Sequence, residues 1–297
     1  MENDVKVTIG ICVKNSELTI EKALDSVLSQ RYPHSMMEII VVDGCSKDKT
    51  LSIIKSKLAN SDIKYRIFRE NIGLGMARQI VAENASGKYI VWVDGDIVLS
   101  KDYVRKQVEY MEKHPNVAVA EGKYGICSEN NLAASLENMV AVAHSQPNIS
   151  NIGWVAATEG AIWRIEAIRQ IGGFEIKIKG AAEDIEATYR MKVAGWNLVK
   201  NNEAIFQEIP RQTWRSIWEQ YFWYGYGAHY INHKNKGIVI LYKMTPLAGI
   251  LAGVLYSFDA YKLLRRKTAF LLPFHYLFKR IAWCFGFAKA HLDGYGH

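Results

Sequence analysis

Over its first hundred residues the chain alternates short β-branched runs with longer stretches whose apolar residues recur at helical spacing, and this alternation restricts the fold most. Residues 7–13 read as a buried strand, 19–30 as a helix with Ile20, Ala23, Leu24, Val27 and Leu28 on one face, and 38–43 as a second strand. Residues 46–58 and 74–85 follow as helices, with 64–68 and 89–93 as the strands beside them. Strands separated by helices of this length need crossovers, so the expected architecture is α/β: a mixed, mainly parallel sheet flanked by helices. In such sheets ligands collect beyond the carboxyl ends of the strands, where Asp43, Asp94 and Asp96 fall. A helix over 132–144, a turn at Gly172-Gly173 and a helix from Glu183 to a C-cap at Gly195 complete the expectation.

Composition fits a folded chain of one or two domains. With 297 residues, 49% apolar and 23% charged, a disordered, collagenous or disulfide-stapled protein is excluded. The four cysteines, Cys12, Cys45, Cys127 and Cys284, are scattered without CxxC spacing, which disfavours structural zinc on thiolates. Residues 1–6 lack the basic and then apolar order of a secretory leader, so the first domain is expected in the reducing cytosol. Charge divides unevenly: residues 1–210 hold 25 Lys/Arg and 27 Asp/Glu, whereas residues 211–297 hold 12 and 3. The C-terminal part is therefore the basic one.

The strongest local signal is Val91-Trp92-Val93-Asp94-Gly95-Asp96, an apolar strand that stops at two carboxylates one residue apart. Alone, Asp-Gly-Asp is an ordinary strand-to-turn junction. Its carboxylates also suit a hard divalent cation shared with a diphosphate, because Mg²⁺ takes one or two protein carboxylates and fills its shell with phosphate oxygen and water. Asp43, ending an earlier strand, adds a third acid to the same edge of the sheet.

The segments VTIGICVKN (7–15), IIVVDGCSKDKT (39–50), NIGLGMAR (71–78), ASGKYIVWVDGD (85–96), IGGF (171–174) and GAAEDIE (180–186) occur in the order found in family 2 glycosyltransferases, which the chain resembles over about residues 5–215. The resemblance implies the Rossmann-like GT-A fold and inverting transfer of a sugar from a UDP- or GDP-linked donor. It implies a catalytic domain over 1–215 and a helical, membrane-associated region over 216–297. It places Val13 and Asp43 at the nucleotide, with Asp43 at the base, and Arg78 near the diphosphate. Asp94 would contact ribose and metal, Asp96 would hold Mg²⁺ or Mn²⁺, and Asp184 would be the catalytic base that deprotonates an acceptor hydroxyl. Elementary chemistry agrees: a departing nucleoside diphosphate gathers negative charge that a cation and Arg78 can stabilise, while a carboxylate across the sugar promotes in-line attack.

The chain also departs from the family pattern. Cys12-Val13-Lys14-Asn15 stands where Pro-x-Tyr-Asn is frequent, and Asp43-Gly44-Cys45-Ser46 replaces Asp-Asp-Gly-Ser. The later metal-side position, often His, corresponds to Gln207, and Arg211-Gln212-Thr213-Trp214-Arg215 does not match the Gln-x-x-Arg-Trp motif of processive members. Polymer synthesis is thus disfavoured. A nucleotidyltransferase would need a Gly-rich basic loop after the first strand, and a dinucleotide-dependent dehydrogenase needs GxGxxG there; neither is present. A catalytically inactive membrane adaptor is the remaining alternative, against which the joint presence of Asp43, Asp94, Asp96 and Asp184 argues.

Beyond Trp214 the chain becomes aromatic, apolar and basic. Trp214, Trp218, Tyr221, Phe222, Trp223 and Tyr224 could stack on sugars, sit at a bilayer interface or pack a core; with no RNA-binding motif nearby, no nucleic-acid partner is expected. Residues 237–258, with Lys243 as their only charge, just reach the length of a membrane span, and 268–288 are nearly as apolar. A simple span would put Lys262, Arg265, Arg266 and Lys267 outside, against the positive-inside tendency. Helices lying in the cytoplasmic interface, their bases at anionic headgroups, are expected instead, with two-pass insertion as the alternative. Family 2 members with such tails resemble those acting on polyprenyl-linked acceptors, so a lipid-linked or membrane-proximal saccharide acceptor is implied. A phosphate acceptor, already an anion, would need Asp184 only for positioning.

Overall fold

The computed structural model describes residues 7–127, 131–144 and 155–296; the leader reading of residues 1–6 lies outside them. The strands are β1 (Val7–Val13), β2 (Met37–Asp43), β3 (Lys64–Arg69), β4 (Tyr89–Trp92), β5 (Ile97–Leu99), β6 (Val117–Tyr124), β7 (Ala161–Arg164) and β8 (Asn197–Glu208). They form one sheet in the order β3-β2-β1-β4-β7-β6-β8-β5. The run β3-β2-β1-β4 is parallel throughout, β7 is antiparallel to both its neighbours, β8 is parallel to β6, and β5 closes the far edge antiparallel to β8. This is the GT-A architecture, a mainly parallel sheet between helices.

Every residue of β1, β2 and β4 is buried, as expected of near-continuous Val/Ile runs covered on both faces. On one face lie α1 (Ile20–Leu28), α2 (Thr50–Leu58) and α4 (Tyr103–Lys113); Leu24, Val27, Ile54 and Val104 share a core with Ile9, Ile11, Ile39 and Val91. On the other, Ala77 and Val81 of α3 (Leu74–Asn84) and Ala187 and Met191 of α7 (Glu183–Val193) join Ile40, Trp92 and Trp163. Phe174 meets Trp92 edge-on and stacks on Trp163 in this second core. The short α6 (Ile165–Gln170) follows β7. α2 begins at Thr50 rather than at 46, because residues 44–49 form a loop in which Ser46 N–H donates to Asp43 and Thr50 N–H to Asp48.

The chain divides into two compact units, one of residues 1–125, 147–177 and 183–209, the other of 126–146, 178–182 and 210–297. The second unit is therefore discontinuous and does not simply begin at residue 216. It contains α5 (Leu132–His144), α8 (Trp214–Lys234), α9 (Pro246–Leu264) and α10 (Leu272–Leu292). α5 joins it because Leu136, Met139 and Val140 share a core with Ala260, Leu272 and Tyr276. Thr245 caps α9, accepting from Ala248 N–H, and Pro246 takes the first turn, where its missing N–H costs nothing.

α8 and α10 cross through reciprocal glycines. A Cβ on Gly225 would lie 1.9 Å from the Trp283 carbonyl oxygen, and one on Gly286 would lie 1.9 Å from that of Phe222. The aromatic run of α8 packs in part on α10, where Trp214 and Trp218 meet Phe278 and Trp218 also meets Phe285, while Trp214, Trp223 and Tyr224 stay exposed. A buried polar cluster lies beside them, in which Lys279 Nζ donates to Glu137 Oε1 at 2.8 Å and His275 Nε2 bonds the same oxygen. Burial opposes the Glu137 charge, yet Lys279 and His275 hold its carboxyl down at about 2.

Candidate active site

The chain runs outward through β1, β2 and β3, then returns to place β4 on the other side of β1. That reversal leaves a crevice beyond the carboxyl ends of β1 and β4, the place where open α/β sheets bind ligands. Val93 N–H donates to the Gly10 carbonyl, which keeps the chain beside β1 as far as Asp94. A tight turn follows: Ile97 N–H donates to the Asp94 carbonyl at 3.0 Å and sends the chain into β5, while Ile209 N–H fastens the Asp96 carbonyl at 2.8 Å. Asp94 and Asp96 are partly exposed on this turn and Gly95 between them is buried. A side chain at Gly95 would meet Ser16 Oγ at 2.8 Å.

Arg78, on α3, is almost wholly buried and reaches the same crevice. Its Nε lies 2.9 Å from Glu183 Oε1 at the start of α7, and its Nη2 lies 3.7 Å from Asp94 Oδ1. α3 comes this close to the approach to α7 because Gly75 bears no side chain: a Cβ there would lie 2.6 Å from the Glu175 carbonyl oxygen. Burial opposes the guanidinium charge, but Glu183, Asp94 and Asp184 overcome it and keep Arg78 protonated. Burial raises the Glu183 carboxyl, Asp184 adds to the rise, and Arg78 works against it. Among the described residues, neither Nη1 nor Nε of Arg78 makes a hydrogen bond although both are buried, Nε being in ion-pair contact with Glu183 only. A buried guanidinium donor without a partner suits an incoming anionic oxygen.

Asp184, next to Glu183 in the first turn of α7, is held from two sides. Oδ2 accepts from Thr158 N–H at 3.2 Å and from Thr158 Oγ1–H at 3.3 Å, and Oδ1 accepts from Ile185 N–H at 2.7 Å. A carboxylate has about four lone-pair directions, so it can still accept a proton or a hydroxyl hydrogen bond. Asp43 and Val13 stand at the ends of adjoining strands, paired in register. Asp43 is fully buried, accepts from Ser46 N–H and lies 3.4 Å from Arg69 Nε. Cys12 is buried beneath Arg78, and burial pushes its thiol well up.

Three further acids, Glu159, Glu208 and Glu121, carry no mark in the sequence. Burial raises the Glu159 carboxyl well above the usual range, and Glu208, Asp94, Glu121 and Asp96 add to the rise. Glu159 precedes β7 and Glu208 ends β8, so the sheet alone brings them to Asp94 and Asp96. Register also separates Glu208 from Gln207. Glu208 pairs with Ile97, directly after Asp96, whereas Gln207 pairs with Val98 and shares the opposite strand face with it. The metal-side contact expected at Gln207 thus has a charged neighbour nearer the turn. Glu121, on β6, is pushed up to about 7 by burial, even though it accepts a hydrogen bond from Ala157 N–H.

A model of the family described as "Glycosyl transferase family 2" matches residues 8–172. The chain belongs to glycosyl transferase family 2. Among curated relatives of this family 2 chain, the poly-beta-1,6-N-acetyl-D-glucosamine synthase of Staphylococcus epidermidis is 23% identical over 224 residues, covering 73% of this chain and 53% of the relative. The putative teichuronic acid biosynthesis glycosyltransferase TuaG of Bacillus subtilis is 37% identical over 98 residues, 33% of this chain and 38% of the relative. The chain spans about half or less of the curated relatives it matches. The mannosyltransferase PcManGT of Pyrobaculum calidifontis, solved with GDP-Man and Mn²⁺, superposes with a TM-score of 0.67 at 18% identity, covering 97% of this chain and 87% of that one. S. aureus TarS 1–349, solved with UDP-GlcNAc, gives 0.56 at 16% identity, covering 98% and 92%. At these identities the likeness is one of fold.

The side chains of the family 2 crevice fit a divalent cation. Asp94, Asp96, Glu159 and Glu208 offer only oxygen, the donor that Mg²⁺ and Mn²⁺ prefer, and the charges of Glu208, Asp94 and Asp96 add to the rise that burial gives the Glu159 carboxyl, an arrangement a cation would relieve.

Proposed function

We propose that this chain is a metal-dependent inverting glycosyltransferase that moves a sugar from a UDP- or GDP-linked donor to a lipid-linked or membrane-proximal acceptor. The observation that carries the reading is the meeting in one crevice of Asp94, the buried Nη1 of Arg78, which has no hydrogen-bond partner among the described residues, and the braced Asp184. Mg²⁺ or Mn²⁺, held by Asp94 and Asp96 with Glu208 and Glu159 beside them, would supply positive charge to the diphosphate. Arg78 binds a diphosphate oxygen through Nη1, with Glu183 in ion-pair contact at Nε. Val13 and Asp43 form the nucleotide end of the crevice, with Asp43 toward the base. Asp184 takes the proton of the acceptor hydroxyl as the hydroxyl attacks the anomeric carbon opposite the leaving diphosphate, which inverts the configuration.

Membrane contact belongs to the same reading. On α9, Leu247, Leu251, Val254, Leu255 and Phe258 are exposed and recur along one helix face, while Gly249, Gly253, Ser257 and Ala260 are buried on the other. The helix has a mean hydropathy of 1.4 over its most apolar window and is long enough to cross a bilayer. Phe270 and Leu271 extend the exposed apolar surface, next to Arg265, Arg266 and Lys267. An apolar stripe flanked by bases suits the cytoplasmic interface of an anionic membrane, where a membrane-bound acceptor is concentrated.

Incubating the chain with UDP- and GDP-sugars and Mn²⁺ while measuring released UDP or GDP tests the reading and identifies the donor. Asp96→Ala should abolish release while circular dichroism stays unchanged. Full turnover by that variant, or undiminished turnover after exhaustive chelation, would refute metal-dependent transfer.

A further inference from the structure

Three histidines of the helical unit converge far along the chain from the carboxylates of the crevice. His229 and His233 lie one turn apart on α8, and His291 comes from the last turn of α10. One nitrogen from each lies within 4.8 Å of the other two. The His229 and His233 rings are 4.5 Å apart, and His229 Nε2 lies 3.3 Å from His291 Nδ1. Two nitrogens bound to one tetrahedral zinc at ~2.05 Å stand roughly 3.3–3.4 Å apart, so the last pair is already at ligand spacing.

His229 is also set up chemically. It is fully buried, and its Nδ1 lies 2.6 Å from the Tyr295 carbonyl oxygen. A carbonyl can only accept, so Nδ1 carries the proton and the neutral ring presents the Nε2 lone pair to the cluster. A ring N–H bound to a backbone carbonyl is the usual outer support of a metal-ligating histidine. His233 and His291 are exposed, so an ion can reach the cluster from solvent.

We infer that His229, His233 and His291 form a binding site for a borderline divalent transition-metal ion, Zn²⁺ foremost, separate from the oxygen-donor site for Mg²⁺ or Mn²⁺. Imidazole nitrogen favours zinc over those hard cations. The bound ion would tie α8 to the end of α10 and, through Tyr295, to the C-terminal turn, whose Tyr295 ring stacks on Tyr226 at 4.8 Å. For Nδ1 of His291 to bind, the proton it shares with His229 Nε2 moves to Nε2 of its own ring, so the neutral imidazole binds the ion with no net loss of a proton.

The test uses the tag-free full chain, stripped with chelator and titrated with Zn²⁺, and with Co²⁺ as a spectroscopic probe. The wild type should bind one Zn²⁺ per chain and give the intense visible bands of four-coordinate Co²⁺. His233→Ala and His291→Ala, both at exposed positions, should each weaken binding at least tenfold and remove the bands, with the far-ultraviolet spectrum unchanged. Asp96→Asn should bind Zn²⁺ as the wild type does, and excess Mg²⁺ should not compete. The inference is overturned if the wild type binds no stoichiometric Zn²⁺, if both histidine variants bind as tightly as the wild type, or if Asp96→Asn loses the ion while they keep it.

Discussion

Arg78 and Glu183 form a buried ion pair at the back of the crevice, 2.9 Å from Nε to Oε1, and Nη1 of the arginine has no hydrogen-bond partner among the described residues. Removing one member strands the other charge away from water. Arg78→Met should therefore lower stability by about 3–5 kcal/mol, read as a fall in urea midpoint. Arg78→Lys should fold better yet bind nucleoside diphosphate more weakly than the wild type, since an ammonium cannot serve Glu183 and a phosphate oxygen in one planar fork. Unchanged nucleotide affinity in Arg78→Lys would remove Arg78 from the diphosphate site.

Asp184 is placed to separate binding from chemistry. Asp184→Asn keeps the size of the side chain and its contact with Thr158 Oγ1, but cannot take a proton. Turnover should fall about 10²–10⁴-fold while calorimetric donor affinity stays within a factor of two or so. Equal losses in both would make the residue a donor ligand instead.

The Glu137–Lys279–His275 cluster gives the helical unit an acid sensitivity. The folded carboxyl titrates at about 2 against an ordinary value of 4.5. A depressed folded pKa stabilises fully above the unfolded value and loses that contribution as pH falls from about 4.5 toward 2. The stability of the wild type should decline through this window. The Glu137→Gln/Lys279→Met double variant should show a shallower decline in urea midpoints measured across the same pH range.

The α8–α10 crossing tolerates no side chain at its centre. Gly286→Ala would drive a methyl group into the Phe222 carbonyl. A loss of about 3 kcal/mol is expected, visible as a lower melting temperature. A neighbouring exposed change such as Phe285→Tyr should be nearly neutral.

Attachment to lipid should follow the exposed face of α9. The full chain is expected to pellet with anionic liposomes, less so in high salt. Leu251→Glu/Leu255→Glu should reduce pelleting severalfold without altering the sheet. Pelleting that ignores both salt and this double change would argue against an interfacial helix.

Much of the fold could be read directly from residue pattern. Val7–Val13 and Met37–Asp43 are continuous β-branched runs, and Ile20, Leu24 and Val27 keep helical period, so local physics and final structure agree. Asp94 and Asp96 stood out because an apolar strand stops at them. Glu159 and Glu208 carried no such mark: nothing near either residue in the chain indicates that β7 and β8 will bring it to the turn, and a one-residue difference in register separates Glu208 from Gln207. His229 and His233 are visibly one turn apart, but only the α8–α10 crossing shows that His291 meets them. The aromatic run on α8 was equally opaque, since stacking on sugar and packing on Phe278 require the same side chains.

The acid cluster around the Asp94–Ile97 turn is drawn from distant stretches of polypeptide, with Glu208 at the very end of β8. A ribosome delivers Asp94 and Asp96 long before it delivers Glu208 and the neighbour to which β5 zips. β5 therefore has no sheet partner until β8 is made, and a fragment cut to the family-matched stretch, residues 8–172, would include neither Asp184 nor Glu208. The edge of the sheet closes only with the last strand, as a late event in the birth of each molecule.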